Sequence, residues 1–76
     1  MKTLLSLNAG EKAVIDSLSG DNNFISRVIS TGFTPLAEVT MVQNRRKGPL
    51  LVYLRDTHIA IGREEARRII IGGENE

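Results

Sequence analysis

The chain has no cysteine and no tryptophan, one histidine, one tyrosine and two prolines in 76 residues. Without cysteine there is neither a disulfide nor a thiolate metal site to brace a small fold. One imidazole is too few for a tight transition-metal centre, which gathers several nitrogen, oxygen or sulfur ligands at fixed distances. Aromatics make up 4% of the residues, so the stacking platforms of a strand-built nucleic-acid binder are missing. Tyr53 alone is placed to serve, because Phe24 and Phe33 belong with a helical segment. No nucleic-acid partner is expected. No apolar run approaches the roughly 20 residues of a membrane span. The apolar part of residues 1–7 is too short for a signal peptide and has no small-residue cleavage site. The expectation is a soluble, cytoplasmic protein.

Catalytic patterns are equally scarce. There is no thiol nucleophile, the lone His58 has no serine in a G-x-S-x-G context, and no glycine-rich loop opens a helix as phosphate binding requires. The chain is not expected to be an enzyme, and no resident cofactor is expected.

What is present is a globular composition, 41% apolar and 25% charged, in a chain long enough for one domain over residues 1–76. A domain of this size buries about 60–65% of the surface its unfolded chain exposes, so its core is thin. The net charge of +1 is unevenly spread. Residues 27–68 hold eight basic and four acidic side chains, and the two ends carry the acidic excess. This favours an acidic partner or a membrane-proximal surface.

Along the chain, Leu4, Leu5 and Leu7 precede the turn signal Asn8-Ala9-Gly10 and predict a short lid on the edge of a barrel. Residues 11–18, with Val14 and Ile15, predict a first strand, broken at Gly20. Phe24, Ile25, Val28 and Ile29 form one stripe at helical spacing, with Asp21 or Asn22 to cap it and Gly32 to end it, which predicts a helix over 22–31. The pattern then changes to period two. Ala37, Val39 and Met41 predict one strand, Leu50, Val52 and Leu54 a second, and Ile59 and Ile61 a third. Residues 44–49 are a polar loop, and Asp56-Thr57 is read as the tight turn between the last two. Residues 62–68 predict one polar helical turn with Ala66 facing inward, and Ile69, Ile70 and Ile71 a last strand stopped by Gly72-Gly73, with 72–76 a frayed tail. Five short strands of this kind cannot build a two-sheet sandwich. Pairing the first with the last closes a small, strongly bent, mostly β barrel with one short α-helix inserted after the first strand. An open sheet with the helix on one face is the alternative.

The order of these features resembles the ferrous-iron transport protein A (FeoA) family. The opening leucines and Gly10, the stretch from Arg27 through Gly32-Phe33-Thr34-Pro35, the strand residues Val39 and Val42, Gly48-Pro49 followed by Leu51, Val52 and Leu54, and the closing Ile59-Ala60-Ile61, Glu65-Ala66, Ile69 and Ile71 are similar to that family's pattern. The resemblance implies a five-stranded SH3-like barrel in a cytosolic accessory protein of ferrous-iron uptake. Its implied partner is the cytosolic part of a membrane ferrous-iron transporter GTPase. The same barrel ends iron-dependent repressors, so a metal-responsive regulatory domain that binds a transition metal weakly is the alternative of a different class, and a small nucleic-acid-binding barrel is a further one. One residue departs from the pattern. The family places glycine after the proline, and Leu36 stands there. Leucine favours a type I or open turn over the type II turn that glycine would permit, and an exposed Leu36 would add to a contact surface.

The candidate partner-binding residues are therefore Arg27, Phe33, Leu36, Arg45, Arg46 and Lys47. Arg45, Arg46 and Lys47 form the sharpest charge cluster, which suits an acidic surface and also, in a solvated hairpin loop, discourages edge pairing. His58 alternates away from Ile59 and Ile61 and is read as a surface residue. Its alternative is a weak iron or zinc contact assisted by Asp56 or Glu64. Glu64 and Glu65 are spaced to pair with Arg67 and Arg68 on one helical turn.

Overall fold

A computed structural model describes residues 2–72. Alternation of apolar and polar residues places Ala13 and Ile15 of β2 (Lys12–Leu18), Val39 and Met41 of β3 (Glu38–Gln43), and Leu50, Val52 and Leu54 of β4 (Leu50–Leu54) on one buried face. Ile61 of β5 (Thr57–Ile61) and Ile69 and Ile71 of β6 (Ile69–Gly72) complete it. A two-residue β1 (Lys2–Thr3) joins the sheet at the edge of β6. The sheet therefore has six strands, one more than expected, in the order β1-β6-β2-β3-β4-β5 with antiparallel neighbours throughout. The extra strand escaped notice because two residues carry no period.

The predicted pairing of the first and last long strands is present: Ile15 lies opposite Ile71 and Leu18 opposite Ile69. Register shifts at Ile15/Ser17 in β2 and Met41/Gln43 in β3 bend the sheet, since an extra residue on one strand adds local twist. The result measures 30 × 29 × 25 Å, a curled barrel and not a flat layer. A 3-10 turn at Leu4–Ser6 lays Leu4 and Leu7 into the core as the expected lid. Gly72, expected in the tail, belongs to β6 opposite Val14. Residues 73–76 lie outside the described residues.

Helix α1 (Asn22–Thr31) has the predicted limits. Asp21 is its cap, with Oδ1 accepting from the Phe24 N–H at 2.9 Å. At the other end Gly32, at φ 124°, donates to the carbonyls of Val28 and Ile29, and Phe33 donates to Val28. This left-handed step satisfies carbonyls that the helix leaves free. Phe24 and Val28, one turn apart, enter the core and Ile25 is half buried. Ile29, expected in the same stripe, is 40% exposed. Helix α2 (Arg63–Ala66) turns Ala66 fully inward, as expected.

Two turns differ from expectation. The β4–β5 turn is centred on Arg55 and Asp56, at φ 54° and 62°, one residue earlier than predicted. Positive φ at both central residues makes it the mirror-image turn whose twist suits a two-residue hairpin. The second case is Leu36, at φ 76°. The Ala37 N–H donates to the Thr34 carbonyl at 3.1 Å, so Thr34, Pro35, Leu36 and Ala37 form a type II turn, not the type I or open turn expected of leucine. The reason is tertiary. Leu36 N–H donates to the Ile15 carbonyl at 2.7 Å, and Ile15 N–H donates to the Ala37 carbonyl at 2.9 Å. Bonds to β2 on both sides hold the turn in a form whose left-handed residue costs about 1–2 kcal/mol without glycine.

Replacing Leu36 by glycine removes that strain and adds unfolded-chain entropy, which opposes the gain by about 0.5–1 kcal/mol. We expect Leu36→Gly to raise the melting temperature by roughly 2–8 °C, while Leu36→Ala, which keeps a Cβ in the left-handed region, gives no such rise. Paired thermal scans by circular dichroism check both.

Candidate functional site

The predicted contact residues fall on three parts of the surface. Arg27 projects from α1, and its Nη2 lies 3.2 Å from Glu65 Oε2. The other oxygen of Glu65 accepts from the Gly62 N–H at 3.1 Å, at the start of α2. One carboxylate therefore caps α2 and ties it to α1. Glu65 had been expected to pair with Arg68. Arg68 instead lies 5.4 Å from the centre of the Phe24 ring, on which Arg27 also leans at 5.9 Å. Glu64 pairs with Arg67 as expected, at 3.6 Å.

Arg27 and Glu65 stand at a cleft of about 210 Å³ between α1 and β5. Val28 and Thr31 form its helix wall, and Ile59, Ala60 and Ile61 its strand wall. Phe33 lines the same cleft but is only 1% exposed. Its expected place on the contact surface is corrected accordingly: the ring is core, and its role is to floor the cleft. Arg27 and Phe33 are thus brought together, and the remaining candidates are not.

Leu36 sits at the apex of the type II turn with 84% of its surface exposed, far more than Ile29, Val42 or Tyr53. Leaving a leucine this open gives up the roughly 1.5–3 kcal/mol that burying it would return. At Leu36 left-handed strain and apolar exposure coincide.

Arg45, Arg46 and Lys47 are exposed in the β3–β4 loop. The loop is anchored at its base by Asn44, whose Nδ2 donates to the carbonyls of Leu5 at 3.1 Å and Leu7 at 2.7 Å. Asn44 Oδ1 accepts from Arg63 Nη1 at 3.2 Å, and the same nitrogen donates to the Arg45 carbonyl. Arg45 reaches back to Gln43, whose amide oxygen, once turned toward it, accepts from Nε at 2.6 Å. Sequence reading saw Asn44 only as the start of a polar loop. Its three long-range bonds join segments about 20 and 40 residues away, and no local signal marks them.

His58 is exposed on β5 and rests edge-on against Tyr53, with ring centres 5.0 Å apart. The carboxylate expected to assist it, Asp56, is engaged elsewhere: Tyr53 donates its phenolic hydrogen to Asp56 Oδ1 at 3.2 Å. Among the described residues, no three His, Cys, Asp or Glu side chains gather as a metal site. A shallow polar groove of about 400 Å³ runs beside this pair, with Lys12 and Arg55 facing Glu38 and Asp56. Among the described residues, no helix is long and apolar enough to cross a membrane.

Sheet order, bulged strands and inserted helix define a small SH3-like barrel with an α1–β5 cleft, an apolar apex and a basic loop. The sequence model of the FeoA domain matches residues 2–72, and the chain belongs to the FeoA family of ferrous-iron transport accessory proteins. A protein of Methanocaldococcus jannaschii assigned as Fe(2+) transport protein A is 27% identical, covering 100% of this chain and 98% of its own. The zinc complex of Stenotrophomonas maltophilia FeoA, described as a prokaryotic SH3 domain protein, superposes with a TM-score of 0.83 at 28% identity, over 95% of this chain and 91% of that one. The crystal structure of an iron uptake regulatory protein (FeoA) gives 0.88 at 24% identity, over 92% and 93%. A manganese-dependent transcriptional repressor shares the fold at 0.83 and 17% identity, this chain covering 40% of it. The barrel is thus found both alone and within a longer regulator.

The Tyr53–Asp56 contact has a direct spectroscopic test. Hydrogen bonding to the Asp56 carboxylate, and then its charge, hold the Tyr53 pKa above its ordinary 10.0. The raised value favours the protonated fold, so this contribution is present below pH 10 and is lost as pH rises through the folded value. Tyr53 is the only tyrosine and there is no tryptophan, so tyrosinate absorbance reads it alone. We expect a midpoint above 10 that Asp56→Asn moves downward, asparagine being at ease at φ 62°.

Proposed function

We propose that this chain is a cytosolic, non-catalytic accessory protein of ferrous-iron uptake that docks on the cytosolic part of a membrane ferrous-iron transporter GTPase. The observation that carries the reading is Leu36: among the described residues the most exposed large apolar side chain, held at φ 76° by the two backbone bonds to Ile15. Left-handed strain at a non-glycine residue persists where the surroundings over-determine it, and it concentrates at sites of contact. A side chain carried on backbone held in this way enters a partner's apolar pocket without the cost of ordering a loop. The basic loop of Arg45, Arg46 and Lys47, braced by Asn44 and Arg63, adds a positive flank suited to an acidic surface. Membership of the FeoA family supplies the iron-transport setting, and the relative from S. maltophilia has been suggested as a ferrous-iron transport activating factor.

Titration of the labelled protein into the isolated cytosolic domain of such a transporter tests the reading. Wild-type protein should bind in a salt-sensitive manner. Leu36→Gly should bind roughly tenfold or more weakly, matching the loss of one buried leucine, while melting no lower than wild type. Charge reversal of Arg45, Arg46 and Lys47 should slow association and flatten the salt dependence. Absence of wild-type binding sinks the proposal.

A further inference from the structure

The two ends of the sheet are finished differently. β1 is two residues long and starts on a lysine, and a very short, charged edge is a poor template for another chain. β5 has neither safeguard. Its residues, Thr57, His58, Ile59, Ala60 and Ile61, include no Lys, Arg, Asp, Glu or Pro. It pairs with β4 at all five positions without a register shift, so no bulge twists it aside.

The direction of its free backbone groups follows from the turn. In a two-residue hairpin the flanking residues exchange both hydrogen bonds, so Leu54 and Thr57 are a bonded pair. Bonded and non-bonded pairs then alternate. Val52–Ile59 and Leu50–Ile61 are bonded, and Tyr53–His58 and Leu51–Ala60 are not. The N–H and C=O of His58 and Ala60 therefore point away from β4, and both residues are exposed. No strand lies beyond β5 in the sheet. No backbone hydrogen bond outside the regular elements reaches either residue among the described residues.

We propose that this edge associates with a second copy of the chain, β5 against β5, antiparallel about a two-fold axis at Ile59. That register sets His58 opposite Ala60 of the other copy and Ala60 opposite its His58, so the outward groups of each pair exchange both bonds. Ile59 meets its own counterpart as the close, non-bonded pair, where side chains approach best. The pattern is complementary to itself in three ways. A large ring faces a methyl group at both ends, a half-buried isoleucine gains an apolar neighbour at the centre, and no charged side chain on β5 faces its own kind. Ile59 and Ala60 also border the α1–β5 cleft. An isologous edge of five residues buries less than the roughly 1,200 Å² of a stable interface, which places the contact among weak, transient ones.

Sedimentation and amide hydrogen exchange of the whole chain, from about 10 μM to about 2 mM, read this directly. The expected result is a mass that climbs toward the dimer, with exchange at His58 and Ala60 slowing severalfold over the series. Exchange at Ile59 and Ile61, already bonded to β4, should stay constant. Ala60→Pro removes an outward N–H without breaking the β4 ladder and should leave a monomer. Ala60→Lys, which alters the side chain alone, should do the same if the proline variant folds poorly. A wild-type chain that stays monomeric to 2 mM overturns the proposal. So does a dimer in which exchange at His58 and Ala60 is unchanged, or one that both variants form as readily.

Discussion

The backbone of Ile15 holds together parts of the chain that would otherwise be independent. Its side chain is wholly buried, and across β2 it lies opposite Ile71 of the last strand. On the other side its N–H and C=O bond to Ala37 and Leu36, before β3 begins. One residue therefore closes the first long strand on the last and fixes where the chain leaves α1 to re-enter the sheet. The register shift immediately after it bends the sheet at the point where both connections meet. A domain of 76 residues with no disulfide has few such constraints to spend, and it places them on a central strand bonded on both sides. The exposed turn at Leu36 is positioned from there.

Two polar side chains perform the corresponding task at the surface. Glu65 uses one oxygen on the start of α2 and the other on Arg27. Asn44 uses its amide nitrogen on the lid carbonyls and its oxygen on Arg63. Glu65 joins the two helices, and Asn44 joins the 3-10 lid to α2 through the β3–β4 loop. Among the described residues, no buried side-chain nitrogen or oxygen lacks a partner, which matters because an unmet polar group beneath a thin core costs about 1–3 kcal/mol. Exposed ion pairs contribute little by themselves. Their value here is geometric, in setting the mouth of the α1–β5 cleft and the base of the basic loop.

Elements with a strong period were legible before any coordinates. Phe24 and Val28, with Asp21 before them and Gly32 after, define α1 to the residue, because spacing, cap and stop agree. Val39 and Met41, or Leu50, Val52 and Leu54, could occupy no other face. What was not legible depends on contacts distant in sequence. Leucine has no local preference for the left-handed region, so the turn at Leu36 is readable only once Ile15 is known to bond on both sides of it. The link from Glu65 to Arg27 spans 38 residues and overrode the closer Arg68. Phe33 follows a helix stop and could have faced either way; the core claimed it. Residue character alone marked Arg45, Arg46 and Lys47 as exposed, but the asparagine that braces their loop gave no sign.

Among the described residues, three that are not glycine, Leu36, Arg55 and Asp56, adopt positive φ, and their turns lie beside the helix stop at Gly32. Arg55 Nη2 donates to the Thr34 hydroxyl at 3.1 Å, and a Cβ added at Gly32 would lie 3.3 Å from the Arg55 side chain. The helix stop, the type II turn and the hairpin turn thus support one another at one end of the barrel. Backbone in sparsely populated regions survives only where its neighbours leave no alternative, and each of these turns removes alternatives from the next. The consequence reaches Leu36, whose backbone is fixed at the apex of the type II turn. At the proposed contact, a leucine on fixed backbone avoids the loop-ordering cost that one on a mobile loop would incur. In a domain with so little core, the stability given up to left-handed strain makes physical sense if it is returned at that contact.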